Sequence, residues 1–383
     1  MLVISNSKKA EILLKMKRKA CCLAAAALSL SLLAGCAGSG SSPQAESGMA
    51  VSPSKSGEAN IAEDARFDDT FLAMDTVMTV SVFGPKGEAG VKAARERIEA
   101  LDALLSTGSE TSEVSKLNAA GGGRLSEDTL ALAEASLRLY EETDGAFDIS
   151  IYPVMKLWGF NRLDELDADH IDVPTDAELR ETLKLVDAGK LTLDPENETL
   201  TYGLPGMAVD FGGITKGYAS DTVIDLLRKM GARHALINLG GNVQTLGTKP
   251  DGSKWRVGIR YPDLKSSDIV GVVSVSDKAV ITSGDYERVI PGTEYHHIID
   301  PATGRPVKNG LRSVTIVSAD GTMADGLSTS LFVMGMEKAA EYWRGHSEEF
   351  DVIFLTEDLK LHVTAGLAED FKPADGYKME IIS

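Results

Sequence analysis

Asp210-Phe211-Gly212-Gly213-Ile214-Thr215-Lys216-Gly217 places a carboxylate, a glycine pair and a lysine in one short stretch. The residues that follow, Ala219, Val223, Leu226, Leu227 and Met230, recur at helical spacing, and Gly231 closes the run. Glycines ahead of a helix expose main-chain N–H groups, and a lysine beside them adds a point charge. Together they suit a phosphate. The same residues also make an ordinary tight turn.

Outward from this stretch, helix and strand patterns mix. Residues 235–239 predict a short apolar strand that runs into the Gly240-Gly241-Asn242 turn. Upstream, Met78, Val80 and Val82 alternate with Thr79 and Ser81 as a half-buried strand, and Val91, Ala94, Ile98, Leu101 and Leu105 predict a helix. Ser126 starts a further helix as its N-cap, with Gly145 as the stop. Thr175 and Glu178 form a capping box for a helix carrying Leu179, Leu183 and Val186. Residues 191–193 and 200–202 read as a hairpin around Asp194-Pro195-Glu196-Asn197-Glu198. Strands are also expected near 255–259, 270–275, 279–281, 313–317 and 352–355. There is no steady βαβ rhythm, and no G-x-G-x-x-G follows a strand. The pattern therefore predicts an α+β fold, not a doubly wound one.

The chain has 383 residues and a formal charge of −18. That charge excludes a broad basic face for nucleic acid or for membrane lipid headgroups. It leaves room for a small anionic ligand held by local cations or a metal. Lys15, Lys17, Arg18 and Lys19 form a basic n-region, followed by a short apolar run, residues 20–33. The run is too short for a comfortable membrane span. It ends in Leu33-Ala34-Gly35-Cys36, the pattern of a bacterial lipobox with Cys36 as the lipidated residue. Residues 1–36 are thus expected to be a lipoprotein signal peptide, 37–66 a flexible Gly/Ser/Pro-rich tether, and 67–383 one catalytic domain. Loss of six basic residues and one acidic residue with the leader takes the charge to −23. All three cysteines (Cys21, Cys22, Cys36) lie in or at the end of the leader, so the domain has neither disulfide nor thiol nucleophile.

Three further clusters carry possible chemistry. Tyr295-His296-His297 runs into Asp300-Pro301-Ala302-Thr303-Gly304, strong turn chemistry. Adjacent histidines on a strand point to opposite faces, so either one faces a site or one is buried and the other exposed. Asp325 and Thr329 stand four apart on an apolar helical run, so their oxygens share a face. With a main-chain carbonyl they make a hard oxygen set suited to Mg²⁺. The plainer reading is that Asp325 caps the helix and Thr329 bonds back to a carbonyl. Zinc is disfavoured without cysteine thiolates or an H-x-x-x-H pair. In residues 145–160, Phe147, Trp158 and Phe160 accompany Asp148. Trp158 and Phe160 read as core, or as stacking partners for a planar ring.

Residues 208–221 (AVDFGGITKGYASD), 235–247 (ALINLGGNVQTLG), 279–289 (AVITSGDYERV), 295–307 (YHHIIDPATGRPV) and 313–335 (SVTIVSADGTMADGLSTSLFVMG) resemble the ApbE family in order and spacing. The likeness runs from about Phe71 to near the C-terminus. It implies an ApbE-like single catalytic domain with mixed sheets and packed helices. It also implies an FAD:protein FMN transferase, which splits FAD, attaches FMN through a phosphoester to a Thr or Ser of a target flavoprotein, and releases AMP. By the resemblance, Met74, Ala146, Phe147, Asp148, Asp210, Lys216 and Ile299 contact FAD. Asp325, Ser328, Thr329 and Gly213 bind Mg²⁺, and His297 lies near the pyrophosphate. Either His297 or Asp210 takes the acceptor proton. Asp75 stands where the family usually has the glycine of Met-Gly-Thr, and Gly108 where many members carry an aromatic residue. The expected acceptor is a flavoprotein subunit of a membrane redox complex, and the expected location is extracytoplasmic, lipid-anchored to a bacterial membrane. The rival readings are an FAD pyrophosphatase and a flavin-binding lipoprotein without turnover.

Overall fold

The computed structural model describes residues 61–166 and 172–383. The leader, Cys36 and residues 37–60 of the expected tether lie outside them. Among the described residues, nine strands form one sheet: β1 (Arg66–Ala73), β2 (Thr76–Phe83), β3 (Ala235–Leu239), β4 (Asn242–Leu246), β5 (Ala279–Gly284), β6 (Leu311–Ser318), β7 (Phe350–Thr356), β8 (Leu361–Thr364) and β9 (Met379–Ile382). They stand side by side in chain order. Neighbours are antiparallel except β8 and β9, which run parallel. The sheet is therefore a meander with long excursions between strands, which is the α+β class.

The excursions carry the helices: α1 (Gly87–Leu105), α2 (Glu113–Ala120), α3 (Glu127–Glu142), α4 (Tyr152–Trp158), α5 (Asp176–Thr182), α6 (Thr215–Lys229), α7 (Gly321–Met334) and α8 (Met336–Gly345). No helix among the described residues is long and apolar enough to cross a membrane. Strand period decides what each side of the sheet covers. Ala279 and Ile281 of β5, Val314 and Ile316 of β6, and Val352 and Phe354 of β7 join the core shared with the helices. Their neighbours Val280, Val317, Ile353 and Leu355 enter a second core. That core is closed by a small sheet of Trp255–Arg260, Ile269–Val275 and Phe371–Pro373.

Ser126 caps α3, and Thr175 with Glu178 forms the expected capping box on α5. That helix is shorter than its apolar spacing suggests. It ends at Thr182, and 183–185 continue as a 3₁₀ turn. The 191–202 hairpin is present, widened by a third strand, Gly122–Arg124, which the sequence did not signal. Trp158 and Phe160 are core residues, packed with Val154, Leu179, Ile290 and Ile299. The Trp158 indole N–H donates to the Gly304 carbonyl at 2.7 Å, so neither ring is open to a ligand.

Candidate active site

The site is built where α6 and α7 cross. A Cβ at Gly217 would lie 2.1 Å from the Gly321 carbonyl oxygen and 2.7 Å from the Asp325 Cβ, so only glycine allows this approach. The two helices exchange carboxylates across the contact. Asp325 of α7 accepts the Gly217 N–H at 2.9 Å and, on its other oxygen, the Asn242 side-chain N–H at 2.8 Å. The Lys216 N–H also favours its charged form. Helix α6 has no side-chain cap of its own, so Asp325 supplies one from the neighbouring helix.

This corrects two readings. Helix α7 begins at Gly321 with Asp320 as its N-cap, so Asp325 lies inside the helix and does not cap it. The 210–217 loop is also not an open cradle of amides. Its Gly212 N–H goes to Asp210 Oδ1 at 2.8 Å, and its Lys216 and Gly217 N–H groups go to Asp325. The chain's own carboxylates occupy the helix end that the glycine pattern offered to a phosphate.

Beyond Asp325 lies a cluster of hydroxyls. Ser283 Oγ is 2.7 Å from Ser328 Oγ and 3.2 Å from Thr329 Oγ1. Ser328 Oγ also lies 2.8 Å from the Asp325 carbonyl. The Thr329 hydroxyl thus faces the end of β5. Among the described residues no three His, Cys, Asp or Glu side chains gather as a metal set. One carboxylate with hydroxyl and carbonyl oxygens suits a hard cation that shares its shell with a substrate's phosphate oxygens. The donor set thus fits Mg²⁺ and does not fit zinc. Burial pushes the Asp325 carboxyl up from its ordinary range, and the Lys216 charge pulls it back.

Asp210 is positioned from behind. Its N–H donates to the Ile149 carbonyl at 2.8 Å. The preceding residue, Val209, is gripped at both main-chain groups by the Asn118 amide, at 2.7 and 2.9 Å. Burial raises the Asp210 carboxyl, opposed by the charges of Arg288 and Lys216 and reinforced by Asp75. Asp75 and Met74 form the β1–β2 turn with φ of 57° and 47°. Both are left-handed, as a two-residue hairpin turn requires. An aspartate tolerates that conformation better than most residues, so Asp75 serves where the family's glycine stands. Burial raises the Asp102 carboxyl, while the Met74 N–H, which it accepts, lowers it.

The histidine pair divides its work. His296 is buried, with Nε2 2.9 Å from the Val307 carbonyl and Nδ1 accepting the Ile298 N–H at 3.3 Å. His297 is half-buried, and its Nδ1 lies 3.0 Å from the Glu287 carbonyl, so Nδ1 donates and Nε2 carries the lone pair. Burial and the neighbouring Arg288 push His297 down to about 3. Its charge couples to Arg288 and Lys216, as that of Asp210 does. The structure therefore brings Asp210, Lys216, His297, Asp325 and Thr329 into one neighbourhood.

Other expected ligand contacts are placed differently. Both Asp148 oxygens accept internal N–H or O–H groups, from Ser150 at 2.7 and 2.6 Å and from Ala188 at 3.2 Å. Phe147 is buried beneath the loop, its ring 3.1 Å from where a Gly213 Cβ would sit. Ala146 is half-buried at the start of this segment, and Ile299 is buried in the α4 core. Gly108 is exposed with open space around it, apart from the Ser106 hydroxyl 3.7 Å from its notional Cβ. Sequence reasoning missed Asn118, Asn242, Ser283 and Arg288. Asn242, Ser283 and Arg288 lie inside the family-like motifs, but only the fold shows what they touch.

Comparison with known proteins places this geometry. The ApbE family model matches residues 74–354. The FAD:protein FMN transferase of Klebsiella pneumoniae (strain 342) is 34% identical over 290 residues, spanning 74% of this chain and 87% of that protein. The enzyme of the same name from Treponema pallidum (strain Nichols) is 32% identical over 344 residues, 83% of this chain and 91% of its own. Among solved structures, the ApbE protein of Thermotoga maritima superposes with a TM-score of 0.72 at 30% identity, covering 79% of this chain and 98% of that one. The flavin transferase ApbE of Vibrio cholerae gives 0.68 at 29% identity, covering 81% and 96%.

Proposed function

The chain belongs to the ApbE family and is a flavin transferase, and from that premise we propose a Mg²⁺-dependent transfer of FMN from FAD to a protein hydroxyl. In this reading FMN ends in a phosphoester to a Thr or Ser of a flavoprotein acceptor, and AMP leaves. The observation that carries it is the hydrogen bond from the Gly217 N–H to Asp325, which joins the lysine loop to the hydroxyl cluster. Asp325, Thr329 and Ser328, with the Gly213 carbonyl, would hold the cation. When bound, it would polarise the pyrophosphate oxygens as a Lewis acid.

The chain's own residues do the rest by positioning and charge. Lys216, whose side chain makes no ion pair among the described residues, neutralises phosphate charge. The acceptor proton goes to His297 or to Asp210. His297 offers a fixed lone pair at Nε2, and Asp210 a carboxylate beside two cations. Met74 and Asp75 border the flavin side. We assign Cys36 as a lipidation site that anchors the protein outside the cytoplasm of a bacterial cell. The acceptor is then a subunit of a membrane redox complex.

The test incubates the full chain with FAD, Mg²⁺ and an acceptor flavoprotein. In-gel flavin fluorescence on the acceptor supports the reading. Free FMN and AMP without labelling would point to hydrolysis, and unchanged FAD would point to binding alone. Chelation of divalent ions should abolish labelling. Full labelling in a chelator would sink the metal assignment.

A further inference from the structure

Arg288 lies just past β5, beside the two groups with the strongest case for catalysis, and nothing above gives it a role. It has φ of 45°, a conformation that a bulky side chain rarely adopts. Asp144, Glu198, Asp277 and Leu359, which share this feature, sit at a helix end or in turns between strands, whereas Arg288 and Asp75 of the Met74–Asp75 turn both act on the Asp210 carboxyl. Such strain persists only where the surroundings hold it, and it clusters at functional sites. Here the surroundings are identifiable. The carbonyl of the preceding residue, Glu287, is the partner of His297 Nδ1. The next residue, Val289, bridges His296. The backbone at Arg288 is therefore pinned on both sides by the histidine strand.

The side chain is held as well. One guanidinium nitrogen donates to the Phe160 carbonyl at 3.1 Å, while the residue stays exposed. Among the described residues Arg288 makes no ion pair, although Asp285, three residues earlier, is paired with Arg312 at 2.7 Å. Its charge acts on Asp210 and on His297, in each case more strongly than that of Lys216. A guanidinium has five N–H donors, and one bond leaves a planar edge suited to two phosphate oxygens. Lys216 acts on the same two groups and also on Asp325. A dianionic pyrophosphate suits a neighbourhood that offers a hard-cation donor set and two basic side chains.

Resting on the transferase reading, we propose that Arg288 is a phosphate-binding residue for the FAD pyrophosphate. Its backbone strain is retained so that the guanidinium stands beside His297 and Asp210. The experiment measures binding of FAD and of ADP to the full chain with Mg²⁺, by calorimetry, for the wild type and three variants. Arg288→Gln should weaken both ligands about tenfold or more, as loss of a charge-assisted bond predicts. Arg288→Lys should recover part of the ADP affinity. Arg288→Gly removes the charge and relaxes the left-handed backbone, so it should lose the same affinity while melting no lower than the wild type. ADP affinity within twofold of wild type in both the Gln and Gly variants would overturn the proposal. So would a loss confined to FAD, which would place the effect at the ring. Wild-type labelling of an acceptor, run on the same preparation, judges the transferase reading separately, because the ADP ratios stand whether or not transfer occurs.

Discussion

Asp221, half-buried, and Asp325, buried, are two carboxylates on crossing helices, and they mirror one another. Asp325 of α7 receives an N–H from the start of α6. Asp221 of α6 receives the Gly321 and Thr322 N–H groups from the start of α7, at 3.0 and 2.7 Å. Strand β4 serves both, with Asn242 donating to Asp325 and Gln244, two residues on, to Asp221 at 2.6 Å. The difference lies in saturation. Asp221 also accepts the Thr322 hydroxyl at 2.6 Å, so four donors surround it. Asp325 has fewer donors, the Lys216 charge nearby and a hydroxyl cluster on its flank. Chemically alike groups become a structural cap in one case and a candidate ligand in the other, according to how many donors the fold supplies.

The strongest test breaks the crossing itself. Gly217→Ala drives a methyl into the Gly321 carbonyl and should cost about 3 kcal/mol or more in stability. It should also remove most transfer activity, measured by thermal melting and acceptor labelling. A variant that melts and labels normally would show that the helices can part without consequence. The pair of asparagine variants then separates the two carboxylates. Asp221→Asn should destabilise by about 2 kcal/mol, because four part-buried donors lose a charged acceptor. It should keep much of its activity per folded molecule. Asp325→Asn should cost about 1–2 kcal/mol of stability but about 100-fold in transfer, with no rescue by added Mg²⁺. Equal activity losses in the two variants, at equal folded fraction, would erase the distinction.

A smaller effect concerns pH. His297 is held near 3 in the fold against an ordinary 6.5. Between those values the unfolded chain binds a proton that the native state refuses, so stability rises with pH. This contribution is complete above the unfolded value and is lost as pH falls toward 3. Asp210 and Asp325 act oppositely, because their raised values let the fold keep protons that the unfolded chain has released. His297→Gln should therefore flatten the acid limb of a denaturant midpoint titration. An unchanged limb would mean that His297 titrates normally. The mildest change is Gly108→Tyr, at an exposed position without steric or φ demand. Placing an aromatic there should tighten FAD by a few-fold, worth about 1 kcal/mol, and leave the melting temperature unaltered. A lowered melting temperature would mean that the loop needs its glycine.

Much of this was readable in the chain. The strand at Met78–Val82, the helical spacing from Val91 to Leu105 and the Thr175–Glu178 capping box have local causes and recur in the fold, although the strand is not half-buried as its alternation suggests, since Ser81 is buried as well. Edge elements were not readable. Strand β1 carries polar residues at alternate positions and strand β9 buries none of its four residues, so neither has the apolar signature of a core strand. The start of α7 was misplaced because Asp320 and Gly321 look like a turn until Asp221 is seen to satisfy their helix.

What the sequence determined by itself is the inventory: the glycine–lysine loop, the Asp325/Thr329 spacing, the histidine turn and their order along the chain. Periodicity and residue chemistry act over a few residues, and a linear chain displays them fully. Which donors each carboxylate receives was decided only by the tertiary structure, because Gly217 and Asp325 lie over a hundred residues apart. Their contact exists because a missing Cβ lets two helices close to within a hydrogen bond. The same closure turned a loop that looked ready for a phosphate into one that holds the protein's own carboxylate.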